Sequence, residues 1–165
     1  MRLIVGLGNQ GIKYRHNRHN VGQMFIDYLG KQLKKAKISE IKLVKTGGFM
    51  NESGRTIKKL TADYPLPSAN LLIAHDDLDI PFGKFKIAMA RGPRLHNGIS
   101  SIEKELDTKD FWRIRIGVEN RTPLNRPDGE TYVLTDFTPF EKQRLPEIFD
   151  RVIKRLFFLS PSRPL

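Results

Sequence analysis

Short runs that are apolar without alternation dictate how this chain can fold. Leu3 to Leu7, broken only by Gly6 and closed by Gly8, is one, and Leu71-Leu72-Ile73-Ala74 is another. A strand with one wet face alternates polar and apolar residues, whereas a strand covered on both faces reads as a continuous apolar run. The two runs therefore predict buried strands of a parallel sheet, and parallel strands need long crossovers, usually helical, to join them. Those crossovers are legible. From Asn20, in the N-cap position, Met24, Phe25, Tyr28, Leu29 and Leu33 recur at helical spacing, and Lys31, Lys34 and Lys35 fall largely outside that stripe. Ile41 to Val44 reads as a second strand, and Ser53 as the cap of a short helix carrying Ile57, Leu60 and Tyr64 on one face. Pro65 and Pro67 close that segment.

The second half changes period. Lys84 to Met89 alternates, as does Trp112 to Val118, which predicts strands with one wet face and sets Arg113 and Arg115 together opposite Ile114 and Ile116. Between them Ile99, Ile102 and Leu106 mark a helix opened by Asn97-Gly98. Thr138-Pro139-Phe140-Glu141 is a capping box with proline at the first helical position, and it opens a last helix running to about Leu159, with Ile148, Phe149, Val152, Leu156 and Phe157 inward. Pro146 is expected to kink its first turns. Strands alternating with helices give one α/β domain over residues 1–165, with a central mixed, mostly parallel sheet flanked by helices.

Charge narrows the partner. Lys plus Arg number 29 against 18 Asp plus Glu, a net charge of +11 on 165 residues, which favours phosphate-rich partners and nucleic acid first. The sequence has no cysteine, which excludes disulfides, thiolate metal sites and a cysteine nucleophile. Met1 to Val5 opens directly into a strand rather than a signal peptide, and no apolar run approaches the roughly 20 residues that span a bilayer. A cytoplasmic protein without membrane attachment is expected.

Several residues suggest chemistry. Gly6, Gly8 and Gly11 match the dinucleotide-binding glycine pattern after a strand, but no helix opens within the glycines, and the region that should supply a ribose-binding acid, Gln32 to Lys37, is basic. The glycines instead predict close backbone approach. His16, His19 and His75 do not lie in a recognised metal-binding motif, so no metal is expected. His19 precedes a helix, whose positive end favours a neutral ring able to accept a proton. Asp76, following a strand predicted to end at His75, is placed to orient that ring. Asn9, Asn51 and Asn97 lie at glycine-flanked or helix-opening turns, where an amide can donate to a carbonyl oxygen and accept from a peptide N–H. Lys84, Lys86 and Arg115, with Arg91 and Arg94 in the intervening loop, form a candidate phosphate-binding patch.

These residues fall into blocks. Leu3-Ile4-Val5-Gly6-Leu7-Gly8-Asn9, Tyr14 and Arg18-His19-Asn20-Val21-Gly22 resemble the N-terminal signature of bacterial-type peptidyl-tRNA hydrolases. Phe49 to Gly54, Ala74 to Pro81, His96-Asn97-Gly98, Arg113 to Gly117 and Tyr132-Val133-Leu134 follow in the order of that family. The resemblance covers nearly the whole chain. It implies cleavage of the ester between a peptide and the 3′-terminal ribose of tRNA, with His19 as the base that activates water and Asp76 as its support. It further implies that Asn9, Tyr14, Asn51 and Asn97 bind substrate, that Lys84, Lys86 and Arg115 contact tRNA phosphates, and that no cofactor or metal takes part. Peptidyl-tRNA is the implied partner, the ribosome an expected neighbour, and a monomer the expected state. A catalytically weak or inactive RNA-binding relative is the alternative.

The chain also departs from that family. Gln10 stands where proline is usual, Ala90-Arg91-Gly92-Pro93-Arg94-Leu95 replaces a glycine-rich stretch, and the segment between the first helix and Phe49 is shorter, which predicts a trimmed sheet.

Overall fold

The computed structural model describes residues 2–158. Five strands, β1 (Arg2–Gly6), β2 (Ile41–Lys45), β3 (Leu71–Pro81), β4 (Phe85–Met89) and β5 (Trp112–Glu119), form one sheet in the order β2-β1-β3-β5-β4. β1 pairs in parallel with both β2 and β3, β3 pairs in parallel with β5, and β4 alone runs antiparallel, along β5. Helices α1 (Val21–Ala36), α2 (Ser53–Asp63), α3 (Asn97–Leu106), α4 (Gly129–Val133) and α5 (Pro139–Phe158) complete the domain. None of the described helices is long and apolar enough to cross a membrane.

Two apolar layers hold the sheet. On one face Phe25, Ile26, Leu29 and Leu33 of α1 and Leu145, Ile148, Phe149 and Val152 of α5 pack over Ile4, Leu72, Ala74, Ile114 and Ile116. Phe25 and Phe149 meet edge to face at 5.5 Å, where α1 and α5 touch. On the other face Ile57 of α2 and Ile99 and Ile102 of α3 cover Leu3, Val5 and Ile73. The glycines of the first block serve this packing. A Cβ on Gly22 would overlap the Ala74 carbonyl, and one on Gly6 would overlap the Gly22 carbonyl, so α1 lies against the sheet backbone itself.

Several local expectations are corrected. The strand from Leu71 does not stop at His75: it continues to Pro81 because β5 keeps pairing with it after β1 has ended at the Gly6–Ala74 pair. Arg113 is not on a wet face. α3 covers that side of β5, and its Glu103 takes the buried guanidinium at 2.7 Å. Ser53 is buried without capping α2, and the Glu52 carboxylate instead accepts from the Phe49 N–H. Tyr64 lies past the end of α2, exposed beneath the Lys42 ammonium. The capping box at Thr138 and Glu141 forms in both directions, and α5 continues as one helix through Pro146. Leu159 lies outside the described residues. The short helix α4 had no expectation attached to it.

Candidate active site

The strand order places the site. Helices α1 and α2 leave opposite faces of the sheet, and the order turns at the β1–β3 boundary, where the carboxyl ends of strands open a crevice. β1 ends opposite Ala74, so His75 and Asp76 emerge on β3 with no neighbour on that side. The chain leaving β1 turns across the gap, held by the Leu7 N–H on the Ala74 carbonyl.

His19 reaches this gap from a three-residue helical turn, Arg18–Asn20, ahead of α1. That turn is fixed from behind. The Arg18 N–H donates to the Thr135 carbonyl, the Arg18 guanidinium meets buried Glu141 at 2.7 Å, and it stacks 4.2 Å over the Tyr132 ring. Asn17 and Asp136 bridge beside it. The imidazole position is thus set by the corner between α4 and α5, far away in sequence.

The His19 Nδ1–H donates to Asp76 Oδ1 at 2.8 Å, and His96 Nε2 lies 2.9 Å from the same oxygen. His96 Nδ1 accepts from the Ile99 N–H, so its proton sits on Nε2 and is donated to Asp76. His96 thereby caps α3 and supports the carboxylate at once. Burial opposes charge on Asp76, but the two histidines outweigh it and hold the carboxyl well below the usual range. Burial alone would lower the His19 pKa too, and the Asp76 carboxylate outweighs that, holding it above 6.5. The expectation that the helix end favours the neutral ring is corrected: the net shift runs the other way, because the nearby carboxylate favours the protonated form.

His75 points elsewhere. Fully buried, it donates from Nδ1 to the Asp76 carbonyl at 2.7 Å, and desolvation drives its pKa down to about 3, so it is neutral and contributes no charge. His16 is exposed and belongs to another groove. His19, Asp76 and His96 bring potential ligand atoms within 4.8 Å of one another, as a metal site would. Their geometry is that of a proton network, since Asp76 Oδ1 already accepts both imidazole N–H groups, and a metal would have to displace those protons.

A cavity of about 480 Å³ opens over this network, lined by Asn9, Met50, Asn51, Leu78, Leu95 and Asn97 among others. Asn9 is rigid. Asn20, at the helix cap position, spends its side chain not on the helix but on both backbone groups of Asn9, and Asn9 Oδ1 accepts from the Met50 N–H. Asn51 and Asn97 are exposed at the mouth. Tyr14 does not line this cavity; it sits half-buried in the turn Ile12–Tyr14 beside Lys13. Lys84 and Lys86 are exposed, and Lys86 pairs in register with Arg115. Arg115 itself is tied to buried Asp77 at 2.6 Å. No role attaches to His96 in the sequence, although a histidine immediately before a helix-opening Asn-Gly was the available signal.

Among the described residues no Ser, Thr, Cys or Lys lines the cavity; its ionisable side chains are His19, Asp76, His96 and Glu130. Fold and site together set an imidazole bonded to a buried carboxylate beneath a set of amides, an arrangement suited to a hydrolase. A family model described as peptidyl-tRNA hydrolase matches residues 3–161. The peptidyl-tRNA hydrolase of Mycobacterium tuberculosis is 38% identical over 165 aligned positions, covering 90% of this chain and 85% of that protein. That of Desulfitobacterium hafniense is 36% identical, covering 93% and 90%. A crystal structure of peptidyl-tRNA hydrolase from Acinetobacter baumannii superposes with a TM-score of 0.75 at 27% identity, covering 93% of this chain and 87% of that one. The chain belongs to the peptidyl-tRNA hydrolase family.

Proposed function

We propose that His19 is the general base with which this protein hydrolyses the ester joining a peptide to the 3′-terminal ribose of tRNA. The observation that carries this role is the 2.8 Å bond from His19 Nδ1 to Asp76, which fixes the tautomer with Nε2 free for a water in a cavity lined by no described Ser, Thr, Cys or Lys. Nε2 takes a proton from water as the water oxygen bonds to the ester carbonyl. The same proton then passes to the departing ribose oxygen as the carbon–oxygen bond breaks. Asp76 stabilises the transient imidazolium, and His96 holds Asp76. Asn9, Asn51 and Asn97 offer amides to the peptide main chain, the 3′ end and the developing oxyanion. Lys84 and Lys86 form the exposed cationic face toward the tRNA phosphates, with Arg115 held beneath it by Asp77. We infer a monomer that acts in the cytoplasm on peptidyl-tRNA released at the ribosome.

The test is His19→Ala with a peptidyl-tRNA and with an uncharged tRNA. A general base contributes typically 10²–10⁴-fold, so turnover falls by at least about 10²-fold while tRNA affinity is unchanged. Retained turnover overturns the mechanism.

A further inference from the structure

The loop of residues 90–95 joins β4 to His96, running from the cationic edge strand to the catalytic network. Within it Gly92, at a φ of +61°, lies so close over Arg115 that a Cβ there would overlap the guanidinium. Arg115 therefore has Asp77 on its Nε and the loop backbone against its remaining nitrogens, and its side chain is only 12% exposed. A phosphate on Arg115 would have to displace the loop or leave buried Asp77 without its partner. Arg91 and Arg94, on either side of Gly92, are both exposed, and neither guanidinium is held in an ion pair among the described residues. The loop is anchored at Arg94, whose N–H donates to Asp79 Oδ2 at 3.1 Å. Leu95, 93% exposed, and His96 then line the cavity over His19.

We infer that Arg91 and Arg94 are the phosphate guide for the single-stranded 3′ end of the RNA, and that Arg115 is a structural cation beneath them. This rests on the peptidyl-tRNA reading above and adds the path by which the strand enters. Lys84 and Lys86 stand about 7 Å apart along the edge. β4 then runs away from the cavity, and the loop doubles back so that Arg91 and Arg94 flank Gly92 over Arg115, the partner of Lys86 in register, before reaching Asp79 and the cavity. Arg94 is two residues from His96, at most about 7 Å along the chain, so its side chain reaches the backbone of the last one or two nucleotides before the ester. A cluster of exposed cations beside a hydrolytic centre, none of them in an ion pair among the described residues, fits a repeating polyanion better than isolated carboxylates on a peptide.

The experiment compares Arg91→Ala/Arg94→Ala with Lys84→Ala/Lys86→Ala. The probe is a fluorescent single-stranded RNA heptamer with a free 3′ hydroxyl, read by anisotropy at several salt concentrations, beside steady-state turnover of peptidyl-tRNA. The loop variant is expected to bind the heptamer more weakly, with the slope of log K against log salt reduced by about 1.4, from about 0.7 per phosphate contact on a single strand. KM for peptidyl-tRNA rises and kcat is retained. If the loop variant binds the heptamer as the parent does while the lysine variant loses peptidyl-tRNA affinity, the guide is wrong and the cationic face stands. If neither variant changes affinity for heptamer or peptidyl-tRNA, both fail. A loop variant altered only in its preference for acidic peptides assigns the arginines to the peptide and overturns the proposal.

Discussion

Asp76→Asn separates charge from geometry at the centre of the site. Both histidine bonds converge on one carboxylate oxygen, Oδ1, at 2.8 and 2.9 Å, and an asparagine keeps an acceptor oxygen there. The negative charge alone is lost. In the proposed mechanism His19 acts as the free base, so activity in the parent is expected to rise with pH through a pKa that Asp76 holds above 6.5. Without that charge, desolvation by burial stands largely unopposed, and the rising limb moves below 6.5. At pH values above both limbs, turnover still falls, because the imidazolium formed in the transition state has lost its counter-charge. A hydrogen bond to a charged group contributes about 1.5–3 kcal/mol, which corresponds to a loss of about 10- to 150-fold. The assay is kcat/KM for peptidyl-tRNA between pH 5 and 9, with the thermal midpoint measured on the same samples. A limb that stays above 6.5, or full turnover on the alkaline plateau, refutes the electrostatic role given to Asp76.

His75→Asn tests the neutral buried ring behind the site. Since the folded pKa is pushed down to about 3 while an unfolded histidine titrates near 6.5, the contribution of His75 is fully present above pH 6.5 and lost as pH falls toward 3. The variant, which keeps a donor for the Asp76 carbonyl, is less stable than the parent at pH 7.5. The gap then closes by about 2–3 kcal/mol at pH 4.5, as two pH units correspond to on the order of 2.7 kcal/mol; a constant gap in urea titrations at the two pH values contradicts the assignment. Gly22→Ala forces α1 off the sheet, because the new Cβ overlaps the Ala74 carbonyl. Overpacking of this kind costs about 1–3 kcal/mol, so the urea midpoint drops, and turnover drops with it as the neighbouring His19 turn shifts. A variant as stable as the parent shows that the helix has room that the structure denies it.

Amino-acid order alone determined the elements whose causes are local. The unbroken apolar runs at Leu3 and Leu71, the helical stripe from Met24 to Leu33 and the box at Thr138 and Glu141 depend on neighbours a few residues away, and each formed where it was expected. The motif blocks placed His19 and Asp76 in one site, because those blocks carry the family resemblance. Three things required the folded chain. Strand β3 runs on past Ala74 only because β5 accompanies it. His96 joins Asp76 only because α3 starts across the gap left by β1. The direction of the His19 pKa shift and the engagement of Arg115 reverse simple expectation, the first because Asp76 outweighs burial, the second because Asp77 and the Gly92 backbone enclose the guanidinium. Electrostatic energy depends on distance and burial between residues 57 apart in the case of His19 and Asp76, and neither quantity is written in local sequence.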